Sequence, residues 1–286
     1  MSIPKKFKDN FTSVISLSQY DYNIGDDISV FLQKGNGMSK FETVKFIDTG
    51  GLYFYTVKTD IVNKDSVRIS IVSKDETQCV VILVNKKTHV SALLSMSDTG
   101  KCVSEGLNKS ISKGGTKILK VALNIILNNK KKYNIERIVL KDNSYLACDN
   151  SPNPVKLAQI RMVLKGEPWF STYGFRPIDN NSKPDKLKLK AIETNNEIFD
   201  RLKTKDVNIS KIIGSVIKKQ IENKIDIAEI SKLVNEHPLM RNFIIRLTME
   251  FDKYCCLLSY LLDFLFNPIS KTGLTDFYNG LFYLDI

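Results

Sequence analysis

The reading turns on one stretch, which opens Lys113-Gly114-Gly115-Thr116-Lys117-Ile118 and closes Trp169-Phe170-Ser171-Thr172-Tyr173-Gly174-Phe175-Arg176-Pro177. Inside it, Ile118, Leu119, Val121, Ala122, Ile125 and Ile126 recur at helical spacing and predict a helix running to Lys132. Lys130-Lys131-Lys132 ends that helix, where positive charge suits the dipole. Ile135-Glu136-Arg137-Ile138-Val139-Leu140 then reads as a short buried strand, and a second helix is expected from about residue 155 to residue 164. A helix that starts from a glycine turn presents unpaired N–H groups and the positive end of its dipole. Phosphates bind there without any special side chain. Gly114 and Gly115 permit the tight turn, and Lys113 and Lys117 add charge.

Upstream the period is that of strands. Val67, Ile69 and Ile71 alternate with Arg68, Ser70 and Val72, and residues 80–84 form a continuous β-branched-rich run. Asn85-Lys86-Lys87 reads as a turn and residues 89–96 as another strand, so this region predicts an antiparallel meander. Downstream, residues 178–188 have the composition of a linker. Beyond them the pattern is helical: Ile209, Ile212, Ile213 and Val216 form one face, and Ile225, Ile227, Ile230, Leu233 and Val234 another. His237-Pro238 interrupts it, residues 239–266 read as one long apolar segment, and the aromatic tail from Leu274 to Ile286 is expected to dock onto a core. The expected fold class is α+β: a mixed, mostly antiparallel sheet flanked by helices over residues 1–180, followed by an all-helical domain over residues 188–286.

Charge is uneven. The chain carries 42 Lys+Arg against 31 Asp+Glu, a net of +11. Residues 181–286 hold 16 of the cations and 14 of the anions, a net of +2; residues 1–180 therefore hold 26 and 17, a net of +9. A basic N-terminal part suits anionic partners such as nucleotide cofactors, nucleic acid or acidic protein surfaces. The five cysteines make no CxxC pair, and with only His89 and His237 a His/Cys zinc site is not expected. An odd count without such a pair reads as a reduced, intracellular chain, with Cys148 a structural thiol and Cys255 and Cys256 core residues. No secretory signal is visible, and the most apolar segment, residues 255–266, is shorter than the roughly 20 residues a bilayer span needs.

The segment 110–178 resembles the GNAT superfamily of N-acetyltransferases. That family runs strand, Arg/Gln-x-x-Gly-x-Gly/Ala loop, helix, strand, second helix, then an aromatic-x-x-x-Gly-Phe ending. Ile111-Ser112-Lys113-Gly114-Gly115-Thr116 takes the place of the loop, and Phe170-Ser171-Thr172-Tyr173-Gly174-Phe175 that of the ending. Leu140-Lys141-Asp142-Asn143-Ser144, with Trp169-Phe170 ahead of Tyr173-Gly174-Phe175, looks more specifically like the divergent acetyltransferase-like proteins of giant DNA viruses. The location would then be a host cytoplasm or a virion.

The resemblance implies a sheet that splays open between two parallel strands, here residues 89–96 and 135–140. Acetyl-CoA would lie in that gap, its pyrophosphate on the amides of Lys113, Gly114, Gly115, Thr116, Lys117 and Ile118, with Asn143 and Ser144 at the end of the central strand. An amine-bearing substrate, protein or small molecule, would attack the thioester directly. The chain departs from the family at several points. Ile111 replaces the loop's first Arg/Gln and Thr116 its final Gly/Ala. Phe170 stands where many members carry a tyrosine acid, with Tyr173 three residues on. Residues 89–96 hold no glutamate, so the candidate bases are His89 and Glu105.

Three functions therefore stand at the level of sequence. One is an acetyl-CoA-dependent N-acyltransferase. Another is a catalytically inactive protein of the same fold, meeting a protein partner through its C-terminal helices. The third is a basic nucleic-acid-binding protein without a recognised motif.

Overall fold

The computed structural model describes residues 39–48, 51–72, 78–96, 114–148, 154–179, 185–186, 188–189, 209–218, 226–267 and 274–286. It is α+β, with a mixed, mostly antiparallel sheet and helices. The described residues divide into two compact units: 39–143 with 174–179 and 279–286, and 144–173 with 185–278.

The first unit is built on an eight-stranded sheet. Strands β1 (Ser39–Asp48), β2 (Gly51–Ile61), β3 (Ser66–Val72), β4 (Gln78–Asn85) and β5 (Val90–Met96) form the expected antiparallel meander. The turn between β4 and β5 is held by the Asn85 side chain, whose Oδ1 accepts from Lys87 N and Thr88 N at 3.0 Å each. Helix α1 (Gly114–Tyr133) follows, then β6 (Arg137–Asp142), which lies parallel to β5. Parallel neighbours need a crossover, and α1 supplies it.

One face of the sheet explains the position of α1. Val67, Ile69, Ile71, Val80, Ile82, Val84, Leu93 and Met96 are all nearly inaccessible. So are Ile118, Leu119, Val121, Ala122, Ile125 and Ile126 on the helix, which packs on β4 and β5. Strand period 2 and helix period 3.6 thus meet in one core.

After β6 the sheet is completed from distant sequence. The short strand β9 (Arg176–Ile178) and strand β10 (Gly280–Asp285) are antiparallel to each other, and β10 lies between β9 and β6. Gly174 precedes β9 with φ 85°, a conformation open to glycine at little cost. The aromatic tail does dock, as an interior strand. In sequence, the helices of residues 209–265 therefore fall between β9 and β10, and each unit is made of more than one stretch of the chain.

The second unit contains the two-stranded piece β7 (Tyr145–Leu146) and β8 (Val155–Lys156) as well as helices. Its helices are α2 (Leu157–Lys165), α3 (Ile209–Lys218), α4 (Ile227–Glu236), α5 (Met240–Met249) and α6 (Phe251–Leu265). Gly166 ends α2 at φ 76°, and its N–H bonds to Met162 O. Asp226 caps α4 by accepting from Ala228 N and Glu229 N. Where one long apolar helix was expected over residues 239–266, the chain breaks at Glu250 (φ −117°, ψ 53°) and α5 packs against α6. Ile227, placed on the apolar face of α4 by its spacing, is 57% exposed; Ile230, Leu233 and Val234 are buried as expected.

The cysteines differ from expectation. Cys148 and Cys255 form a disulfide across 107 residues, with their Cα atoms 5.7 Å apart. Cys79 is disulfide-bonded too. The reading of a fully reduced chain is therefore overturned, and with it the sequence argument for an intracellular location. No described helix is long and apolar enough to cross a membrane.

Candidate functional site

The parallel pair β5 and β6 is joined at four positions: Val90↔Arg137, Ser91↔Ile138, Ala92↔Val139 and Leu93↔Leu140. Beyond Leu93 and Leu140 the two strands no longer pair. Residues 95–96 stay with β4, through Ser95↔Val81 and Met96↔Val80. Lys141 and Asp142 stay with β10, opposite Leu281 and Gly280. Pairing between the facing edges thus ends while each strand keeps its outer neighbour.

A bulge marks the place. Leu93 faces Ile82 and Ser95 faces Val81, so Leu94 is an extra residue in β5. An extra residue bends its strand and ends regular pairing. Here it bends β5 immediately after its last bond to β6.

Helix α1 begins at the same end of the sheet. Its far end is fixed by the residue after it: Asn134 lies against His89, with His89 Nδ1 3.0 Å from Asn134 O and 2.9 Å from Asn134 Nδ2. His89 directly precedes β5, and its carbonyl accepts from Glu136 N at 2.8 Å. Twenty helical residues extend ~30 Å and the seven residues of β5 ~23 Å. The helix therefore runs back along β5, and Gly114 and Gly115 lie at the end where the strands part. The first turn of α1 carries no acidic residue.

The sequence candidates sort accordingly. Gly114, Gly115, Thr116 and Lys117 form the opening turn of α1. Ile118 is 3% exposed, so its side chain anchors the helix in the core and leaves only its amide for a ligand. Asn143 directly follows β6, beside the opening. Ser144 begins the second unit, is buried, and accepts Leu157 N at 3.0 Å on its carbonyl. His89 sits at the opposite end of β5 from the opening, four paired residues away, in a turn conformation with φ 60°. The structure thus separates it from Gly114, Gly115 and Asn143 and gives it a turn-closing contact. Tyr173 lies in a 3₁₀ helix (Trp169–Tyr173) of the second unit, its ring edge-on to Trp169 at 5.5 Å. Phe170 is 1% exposed, a core anchor. Lys113 and Glu105 lie outside the described residues.

Lys141 was missed in the sequence. It is the first β6 residue beyond the last pair with β5, and it is buried. Burial holds its ammonium below the ordinary lysine range. Its sequence context, Leu140-Lys141-Asp142, reads as a strand end turning to solvent, and charged residues are seldom buried.

Pairing between β5 and β6 thus stops at the end of the sheet where α1 begins. A ligand with a peptide-like arm and an anionic head has matching chemistry: backbone N–H and C=O groups bond an amide-bearing arm, and helix N-terminal amides an anionic head. Among the described residues no His, Cys, Asp and Glu cluster could hold a metal. The chain matches no family model, no curated protein and no solved structure.

Proposed function

We propose that the protein is a coenzyme A-dependent N-acyltransferase of GNAT-like fold, moving an acetyl group directly from acetyl-CoA to a primary amine. One observation carries this reading: β5 and β6 cease to pair at Leu93 and Leu140, on a bulge, at the end of the sheet where Gly114-Gly115 opens α1. The pantetheine arm, which holds amide groups, takes the place of a strand in the gap. The pyrophosphate takes the N-terminus of α1.

The element order supports the same reading. β5, α1, β6, α2, the Trp169–Tyr173 turn, Gly174 with positive φ and a buried Phe175 follow in the sequence the resemblance implies. In the reaction, amides at the opening polarise the thioester carbonyl and the amine nitrogen displaces the thiolate. The helical residues between β9 and β10 form a domain-sized insertion.

A second reading, an inactive protein of this fold that meets a partner, is favoured by two placements. His89 is remote from the opening, and residues 90–96 carry no ionisable side chain.

Calorimetric titration of the full chain with coenzyme A tests the site. Binding is expected, and Gly114→Asp should abolish it by setting bulk and negative charge on the pyrophosphate position. Unaltered binding by that variant would remove the loop from the site. Acetyl transfer to a panel of amines then separates the two readings.

A further inference from the structure

We propose that the end of the sheet where β5 and β6 begin, together with the outer face of α1, is a docking surface for the phosphate backbone of a nucleic-acid duplex. It lies at the end of β5 remote from Gly114 and Gly115, so it stands or falls apart from the transferase reading.

Three segments meet there, all in the first unit. Residues 62–65 join β2 to β3, residues 86–89 join β4 to β5, and α1 ends at Tyr133. Lys86 N donates to Asp65 O at 2.7 Å, which links the two turns. Asn134, the residue after α1, lies 2.9 Å from His89 Nδ1, which links the helix to the second turn. Asn63 Oδ1 accepts from Asp65 N at 2.9 Å, as Asn85 Oδ1 does from Lys87 N, so both turns hold a fixed shape.

These segments gather Lys64, Lys86, Lys87, Lys130, Lys131 and Lys132 from three places in the sequence. Lys64, Lys87, Lys131 and Lys132 are exposed, and Lys86 and Lys130 half-buried. Acidic residues are fewer. Asp285 bonds Arg137 at 2.6 Å, and Asp60 lies 3.5 Å from Lys58. With those pairs cancelled, Asp65 and Glu136 remain against six lysines, a net of +4. The helix dipole accounts for lysines in the last turn of α1 but not for those of the two turns.

Helix α1 extends the surface. Its buried stripe packs on the sheet, and Lys120, Asn124, Leu127, Asn128 and Lys131 recur along the opposite face. All but the half-buried Asn124 are exposed. Lys120 to Lys131 covers ~17 Å of helix, and two strand spacings, ~10 Å, separate the turns. The twenty residues of α1 include no Asp or Glu, although a solvated helix gains from acidic partners four residues from its lysines.

The chemistry selects the occupant. A duplex carries one charge per ~1.7 Å of its axis, and lysines that neutralise phosphates release condensed counterions. Asparagine amides donate to phosphate oxygens. A membrane-seated helix inserts an apolar face, whereas α1 buries its own in the core and shows only Leu127 outside. Single strands stack on open aromatic rings. Tyr133 is half-buried, with Lys132 Nζ 4.8 Å from its ring centre.

The experiment titrates the full chain into a labelled DNA duplex of about 20 base pairs and arbitrary sequence, read by fluorescence anisotropy from about 50 to 200 mM salt. Binding is expected, with log affinity falling against log salt at a slope of about −4 to −5. Lys131→Glu/Lys132→Glu should weaken it about tenfold or more and reduce the slope by about 2. Lys86→Gln/Lys87→Gln should flatten the slope likewise. Lys165→Glu/Lys232→Glu, an equal charge change in the second unit, should shift affinity by no more than about twofold, and circular dichroism should match across all the chains. Absence of binding at the lowest salt overturns the assignment. So do equal losses in the Lys131/Lys132 and Lys165/Lys232 variants, or tighter binding to a single strand of the same length or to phosphatidylserine-rich vesicles than to the duplex.

Discussion

Leu93 and Leu140 form the last rung between β5 and β6, and the extra residue Leu94 follows at once. Removing Leu94 would restore regular pairing between β4 and β5, because Ser95↔Val81 and Met96↔Val80 keep their faces. With the bend gone, β5 can continue alongside β6. Deletion of Leu94 is therefore expected to leave cooperative unfolding intact and to weaken coenzyme A binding about tenfold or more, near 1.4 kcal/mol. Parallel urea unfolding and calorimetry decide it; unchanged affinity would show that the bulge does not make the opening.

Gly174 has φ 85°, and a Cβ built on it would stand 3.4 Å from Leu284 Cδ1. The contact is ordinary, so the cost of a side chain comes from the backbone. Gly174→Ala should lower stability by ~1–2 kcal/mol, the penalty of left-handed backbone for an L-residue. Replacement by Asn, which tolerates this region better, should recover part of the loss. Equal stability of all three chains in urea would contradict the assignment.

The Cys148–Cys255 bridge closes a loop of 107 residues. Cross-linking a loop of that size typically contributes ~2–5 kcal/mol, mainly by restricting the unfolded chain. Cys148→Ser should lower the melting temperature in the absence of reductant, and reductant should then cost this variant less than it costs the parent. Mass spectrometry of the non-reduced digest should recover the cross-linked peptide pair.

Glu229 accepts hydrogen bonds from Lys253 and from the Tyr254 hydroxyl, and these hold its carboxyl below the ordinary range. Lys253 is raised in turn, first by its bond to Glu229. A depressed carboxyl stabilises the fold above its unfolded pKa and loses that contribution as pH falls through the folded value. The parent chain should therefore lose stability on acidification more steeply than Glu229→Gln. Because this carboxylate is solvent-screened, the difference should shrink at high salt. Melting curves from neutral to strongly acid pH, at low and high salt, measure both effects.

Much of the fold was legible because its periods are clean. Six apolar residues between Ile118 and Ile126 define the inner face of α1, and Val67, Ile69 and Ile71 that of β3. What escaped depends on distant sequence. Leu281-Phe282-Tyr283-Leu284 announces a buried tail, but nothing in it names β6 and β9 as neighbours, since register is set by the partner strands. The pairing of Cys148 with Cys255 is one of many that five cysteines allow. The break at Glu250 carries no glycine or proline to announce it.

At the site, the glycine turn opening α1 was visible for the same reason the helix was. His89 was drawn in because histidine is a common general base, and the left-handed turn that removes it from the opening leaves no mark in the residues around it. Lys141 escaped because a lysine inside an apolar face runs against composition. Only the pairing with Leu281 reveals it.

Strand β10 has a consequence for biosynthesis. A ribosome delivers β6 and β9 well before it delivers the strand that separates them, with α3 to α6 made in the interval. Until then one edge of β6 has no neighbour, and a bare edge invites pairing with other chains. The nascent protein thus passes through a sticky adolescence, ended only when Phe282 and Tyr283 arrive to zip the halves of the sheet together.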